Sequence, residues 1–187
     1  MKKILCIGFV LFLTMNAKAQ LSAGIKLGTN FASVMESGSG VHVSTSSRTA
    51  FNLGGYVNVS LSEKFKLQPE LLYQGMGGVI EGATFKNDYV TVPVLLQYDV
   101  VHNFALELGP QIGFLTSSKV EGQSIKSAFN STDVQLLVGA SVGLTDKIGI
   151  GARYGTSLTN VASDAFSSAK TDIKNKNFSI QVSYKLF

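Results

Sequence analysis

The chain has no tryptophan, one cysteine, three prolines and two histidines among 187 residues. Each scarcity excludes something. A lone cysteine closes no disulfide and builds no thiolate metal site. Two isolated histidines, His42 and His102, with scattered acids lack metal-ligand spacing. Beyond the first segment no apolar run approaches the ~20 residues of a transmembrane helix. No basic patch with interleaved aromatics offers a nucleic-acid surface.

The first segment reads as an export signal. Lys2 and Lys3 precede an apolar run from Ile4 to Met15, and Ala17-Lys18-Ala19 is a small-x-small cleavage site. Cleavage after residue 19 leaves Gln20 first. Cys6 lies too early in the run to carry a lipid anchor and departs with the peptide. The chain's net charge of +4 also shrinks, because Lys2, Lys3 and Lys18 go with it; 13 basic residues against 12 acidic remain, or +1. That balance gives no hint of a polyanionic partner. Residues 20–187 are enough for one domain without staples.

What the remainder has is alternation. Apolar residues fall at every second position in eight runs, the period of a strand. The first sets Leu21, Ala23, Ile25 and Leu27 against Ser22, Gly24, Lys26, Gly28 and Asn30. Similar rows cover 51–60, 65–74, 91–99, 104–114, 133–144, 148–155 and 178–186. The connections alternate strictly in length. Short links at 62–64, 101–103 and 145–147 interleave with long polar ones at 33–48, 76–88, 117–132 and 158–175. An up-and-down meander whose two ends face different compartments produces this pattern, and bacterial outer-membrane barrels have an even strand count, short periplasmic turns and long outer loops.

The expected fold is therefore all-β: an eight-stranded antiparallel transmembrane barrel. A water-soluble barrel of lipocalin type would turn its apolar face inward around a cavity, whereas a membrane barrel turns it toward lipid. The second face here is rich in Gly, Ser, Asn and Gln, which suits the cramped interior of eight strands. Aromatic residues near the strand ends (Phe51, Phe65, Tyr98, Phe104, Phe114, Phe178, Tyr184) match interfacial girdles. Pro69, Pro93 and Pro110 fall inside predicted strands three, four and five, where each removes a ladder donor. That wall is expected to have the weakest ladder.

The chain resembles the small outer-membrane β-barrel proteins of the Bacteroidetes, the PorT-type porin family, with a barrel of the OmpA/OmpX kind. The resemblance rests on Gly24-Ile25-Lys26-Leu27-Gly28, Leu67-Gln68-Pro69-Glu70-Leu71-Leu72-Tyr73, Tyr89-Val90-Thr91-Val92-Pro93-Val94-Leu95 and Leu108-Gly109-Pro110-Gln111-Ile112-Gly113. Gly151-Ala152-Arg153-Tyr154-Gly155 and the closing Val182-Ser183-Tyr184-Lys185-Leu186-Phe187 complete it. These motifs mark architecture and location rather than a reaction, and imply that the prolines are family features. The resemblance also implies a C-terminal signal read by the outer-membrane insertion machinery. Tyr184, Leu186 and Phe187 would form it, with Leu186 or Phe187 in the terminal role.

The inward rows carry Lys26, Glu70, Glu107 and Arg153, each four to six residues from the short-turn end of an odd-numbered strand. They should occupy one layer of the lumen. Opposite strands would pair Lys26 with Glu107 and Glu70 with Arg153, because buried charges must be paired. This layer would plug the lumen; a gate is the other reading. His42-Val43-Ser44 is a His-x-Ser arrangement without an acidic partner, so no catalytic site is assigned. Gly77-Gly78 is too short to cradle phosphate and reads as loop punctuation. No cofactor is implied. The expected function is a non-enzymatic outer-membrane barrel, monomeric in outer-membrane lipid, meeting any extracellular ligand through the four long loops. A narrow channel and a soluble carrier barrel are the alternatives.

Overall fold

The computed structural model describes residues 21–38, 41–44, 46–80, 83–161 and 172–187. The predicted export segment lies outside them, as does part of the connection at 158–175. Eight long strands form the wall: β1 (Leu21–Gly38), β2 (Ser46–Ser60), β3 (Phe65–Ile80), β4 (Ala83–Val101), β5 (Phe104–Val120), β6 (Thr132–Gly143), β7 (Ile148–Ser157) and β8 (Asp172–Lys185). Each pairs antiparallel with its sequence neighbours, and β8 returns to β1, closing the sheet. In hydrocarbon each unsatisfied backbone group costs several kcal/mol, so a spanning sheet must have no edge.

The stagger of the ring can be counted. The hydrogen-bonded path from Gly143 runs through Gly149, Ser183, Lys26, Gly54, Leu72, Thr91 and Gly113 to Asp133, ten residues along the strand it left. With ~3.3 Å per residue and ~4.8 Å between strands, that shear tilts the strands by about 40°.

The faces divide as the alternation predicts. Outward residues such as Leu27 (58% exposed), Leu71 (60%) and Leu108 (54%) form the band that meets lipid, while Asn30, Asn52 and Gln135 are fully buried inside. The apolar face points outward, which removes the soluble-carrier alternative. Paired aromatics mark the outer face near both ends: Phe65 with Tyr98 at 5.1 Å and Phe51 with Tyr73 at 5.9 Å.

Two expectations need correction. The connections at 33–48 and 76–88 are mostly paired strand, since β3 and β4 stay in register from Gly75↔Asp88 to Ile80↔Ala83 and β1 pairs with a short strand, Val41–Ser44. The segment 117–132 likewise holds the end of β5, a short strand Gln123–Ser124 and a 3₁₀ turn Lys126–Ala128. Polar residues occupy both faces there, so the ladder continues where the alternation stops. Nor does Gly77-Gly78 merely punctuate a loop. Gly77 lies within β3 at φ +118°, and a Cβ there would lie 2.0 Å from the Phe85 carbonyl oxygen. Only glycine fits that backbone.

The prolines sit within strands as predicted, and the ladder thins around them. Pairing skips from Pro69↔Val94 to Leu72↔Thr91 between β3 and β4, and from Pro93↔Gln111 to Leu96↔Leu108 between β4 and β5.

A candidate functional site in the lumen

The strand tilt sets residues of one height slightly more than one residue per strand away from the hydrogen-bonded register. Lys26 on β1 is therefore level with Glu70 on β3, although its path of paired residues leads to Leu72. The same offset raises Glu107 on β5 and Arg153 on β7 into that layer. Four strand positions of inward parity thus deliver two cations and two anions to one cross-section.

The contacts form a single network. Arg153 donates from Nη1 and Nη2 to the two carboxylate oxygens of Glu70, both at 2.8 Å, and from Nε to Glu107 Oε2 at 2.6 Å. Lys26 Nζ donates to Glu70 Oε1 at 2.7 Å and lies 5.1 Å from the centre of the Tyr56 ring. Gln97 Nε2 donates to Glu107 Oε1 at 2.8 Å, and Gln68 donates to Glu70. Each of the four charged residues is at most 6% exposed. The layer is neutral, and every charge has at least one opposite partner.

The pairing between β3 and β7, opposite strands of the ring, is the predicted one. The pairing of Lys26 is not: it bonds Glu70 rather than Glu107. An eight-stranded lumen is so narrow that long side chains from alternate strands meet as readily as those directly opposite. The branched guanidinium of Arg153 takes one oxygen of Glu107 and both of Glu70, and Glu70 Oε1 also receives Lys26. Gly139 makes room for this, because a Cβ there would lie 2.7 Å from Arg153 Cγ.

Sequence reasoning missed three members of the network. Gln68 and Gln97 have inward parity but carry no charge to attract notice. Tyr56 shares the parity of Asn52 and Asn58, and extending that row through Gly54 would have found it. Asp133 was also missed; it is 1% exposed, and its Oδ2 accepts from Gln135 Nε2 at 2.7 Å and Asn175 Nδ2 at 2.9 Å.

The lumen differs above and below the charged layer. On the short-turn side a polar cavity of about 550 Å³ is lined by residues including Lys26, Glu107, Tyr56, Lys66, Asp99 and His102. Lys66 and Asp99 pair across its rim at 2.6 Å. On the long-loop side amides fill the space: Gln111 donates to Gln74 at 3.4 Å and to Gln135 at 3.2 Å, and Asn177 donates to Asn30 at 3.2 Å. Beyond them Ala32, Met76, Tyr89 and Leu115 form a buried apolar cluster packed by Phe129. Asn130 N–H donates to the Val161 carbonyl, and Val161 N–H to that of Ile173, both at 2.9 Å, linking the segment after β5 to the residues after β7 and the start of β8.

The remaining sequence candidates are not brought together. His102 is exposed in the β4–β5 turn. His42 lies on the short strand 41–44 opposite Ser37, with its side chain outside the described residues. No group of three or more His, Cys, Asp or Glu able to hold a metal occurs among the described residues. At the C-terminus Val182, Tyr184 and Leu186 share the outward row, and Leu186 N–H extends the seam to the Ala23 carbonyl at 2.8 Å.

Comparison with known proteins gives a consistent result. The model of the outer membrane protein beta-barrel domain matches residues 16–163. Among solved structures, Ail, the attachment invasion locus protein of Yersinia pestis, is 14% identical with a TM-score of 0.53, over 88% of this chain and 98% of that one. Neisserial surface protein A is 14% identical with a TM-score of 0.54, over 88% and 99%. No curated protein matches the sequence. At these identities the structural likeness concerns the fold.

Proposed function

From the premise that the chain belongs to the outer membrane protein beta-barrel family and resides in the bacterial outer membrane, we propose that it is a non-enzymatic barrel with a closed lumen that acts at the cell surface. The observation that carries this reading is the network of Arg153, Glu70, Lys26 and Glu107, which fills one cross-section with paired, buried side chains. A conducting pore needs a continuous wet path, and a layer of ion pairs between a lower cavity and an amide-filled upper half interrupts it. The role of the protein then falls to its outer end, where the four long connections at 33–48, 76–88, 117–132 and 158–175 meet the medium. Binding residues on rigid scaffolds are concentrated in such segments.

The reading includes its biogenesis. Residues 1–19 direct export and are removed, and the strand ending in Tyr184, Leu186 and Phe187 is presented to the insertion machinery. The closed ring leaves no edge for a second copy, which favours a monomer, and the motifs quoted above resemble those of the Bacteroidetes PorT-type barrels. A narrow channel is the second reading, favoured by the polar cavity that reaches the charged layer from the short-turn side. Planar-bilayer recording separates the two. Little or no conductance is expected of the unmodified barrel, and steady large conductance would overturn the closed-lumen reading.

A further inference from the structure

Both rims of the barrel mix lysines with acids. At the short-turn end Lys64, Lys147 and Lys185 are accompanied by Glu63 and Asp146, and Lys66 pairs with Asp99. At the long-loop end Lys86, Lys119, Lys126, Lys174 and Lys176 form no ion pair among the described residues. Of the acids there, Asp88 is engaged by Arg48 at 3.5 Å, Glu121 is exposed in the turn after β5, and Glu36 and Asp172 lie on the β1–β8 side of the ring.

Three of these lysines converge on one strip of wall. Lys86 on β4 and Lys119 on β5 are register partners and both exposed. Their inward neighbours Asn87 and Ser118 are buried and bonded at 2.7 Å, so the two lysines face outward together. Lys126 is exposed and its Nζ donates to the Thr116 carbonyl at 3.4 Å, two residues above the outward-facing Phe114. Like charges directly opposite on neighbouring strands destabilise a sheet unless something neutralises them.

Height identifies what is available to do so. The outward apolar row of β4 runs from Val90 to Val100, and Lys86 stands four residues beyond Val90. At ~3.3 Å per residue on tilted strands that is about 10 Å above the hydrocarbon edge. The ammonium groups therefore point sideways into the headgroup layer. A soluble polyanion would approach from above the loops, whereas a lipid headgroup lies against this strip by default.

We propose that Lys86, Lys119 and Lys126 form a binding strip for phosphate groups of outer-leaflet lipid headgroups, fixing the barrel's depth and orienting its outer hairpins. Each lysine near an anionic surface contributes about 1 kcal/mol, or roughly fivefold in affinity.

The test uses the full-length barrel refolded into phosphatidylcholine vesicles with and without a minority of phosphatidic acid. The readout is the heat-induced change in gel mobility. Phosphatidic acid should raise the transition temperature of the unmodified barrel, and high salt should reduce that rise. K86Q/K119Q/K126Q should lose most of the rise, K86R/K119R/K126R should keep it, and the short-turn control K64Q/K147Q/K185Q should keep it. Inorganic phosphate added to neutral vesicles should not reproduce it. The proposal is overturned if the glutamine variant keeps the full rise, if the control loses as much, or if free phosphate serves equally. Should the glutamine variant fail to fold, a rise in the unmodified barrel that persists undiminished at high salt would equally overturn it.

Discussion

Replacing Arg153 with alanine would leave two buried carboxylates short of their main partner. Arg153 makes three charge-assisted bonds, two at 2.8 Å to Glu70 and one at 2.6 Å to Glu107. Glu70 would keep Lys26 and Gln68, but Glu107 would be left with Gln97 alone. Removing one partner of a buried pair typically costs about 3–5 kcal/mol, because the stranded charge has lost its water and gained nothing. Glu107 is 3% exposed, which places this site at the upper part of that range. The assay is urea unfolding in lipid vesicles, followed by the mobility difference between folded and unfolded barrel. Adding Glu107→Gln to Arg153→Ala should recover about 1–3 kcal/mol by removing the stranded charge. Replacing all four groups with neutral residues of similar volume should cost far less than the single alanine. A loss below about 1 kcal/mol for Arg153→Ala would refute the reasoning. It would mean that water already solvates these carboxylates and that the layer is not a dry closure.

Other substitutions probe the wall. Leu108→Arg places a charge in the middle of the outward face of β5 and should cost about 2–4 kcal/mol in the same unfolding assay; tolerance would place that residue away from lipid. Gly77→Ala forces a Cβ toward the Phe85 carbonyl at a positive φ and should cost about 1–3 kcal/mol, read as a lower thermal transition in gel mobility. Amide exchange in a detergent micelle should run faster at the skipped pairs near Pro69 and Pro93 than along the β1–β8 seam, which pairs continuously from Gly24↔Lys185 to Ser37↔Asp172. Equal protection would mean that the prolines do not weaken their wall.

The membrane half of the fold was legible because lipid enforces a period of two. Ile25, Leu71 and Leu108 must face out while Lys26, Glu70 and Glu107 face in, and the sequence keeps that order wherever the bilayer lies alongside. Above it the constraint vanishes. Met76, Gly77 and Gly78 are all buried on one strand, and their ladder to β4 leaves no alternating trace. The charged layer was likewise visible as a set of residues of common height. Its wiring was not, since whether Lys26 meets Glu70 or Glu107 depends on shear, on the reach of Arg153 and on the space vacated by Gly139. None of these is a property of one strand read alone.

The seam between β1 and β8 makes the ring a circle in assembly as well as in shape. The first strand of the barrel can be satisfied on one side only by the last. A chain stopped short of Asp172 would not give a smaller barrel; it would give a sheet with two raw margins in a solvent that cannot hydrate them. Closure of this wall accordingly joins strands from the two ends of the described barrel. The least local pairing among the described strands is also the one that removes the last edges of the sheet.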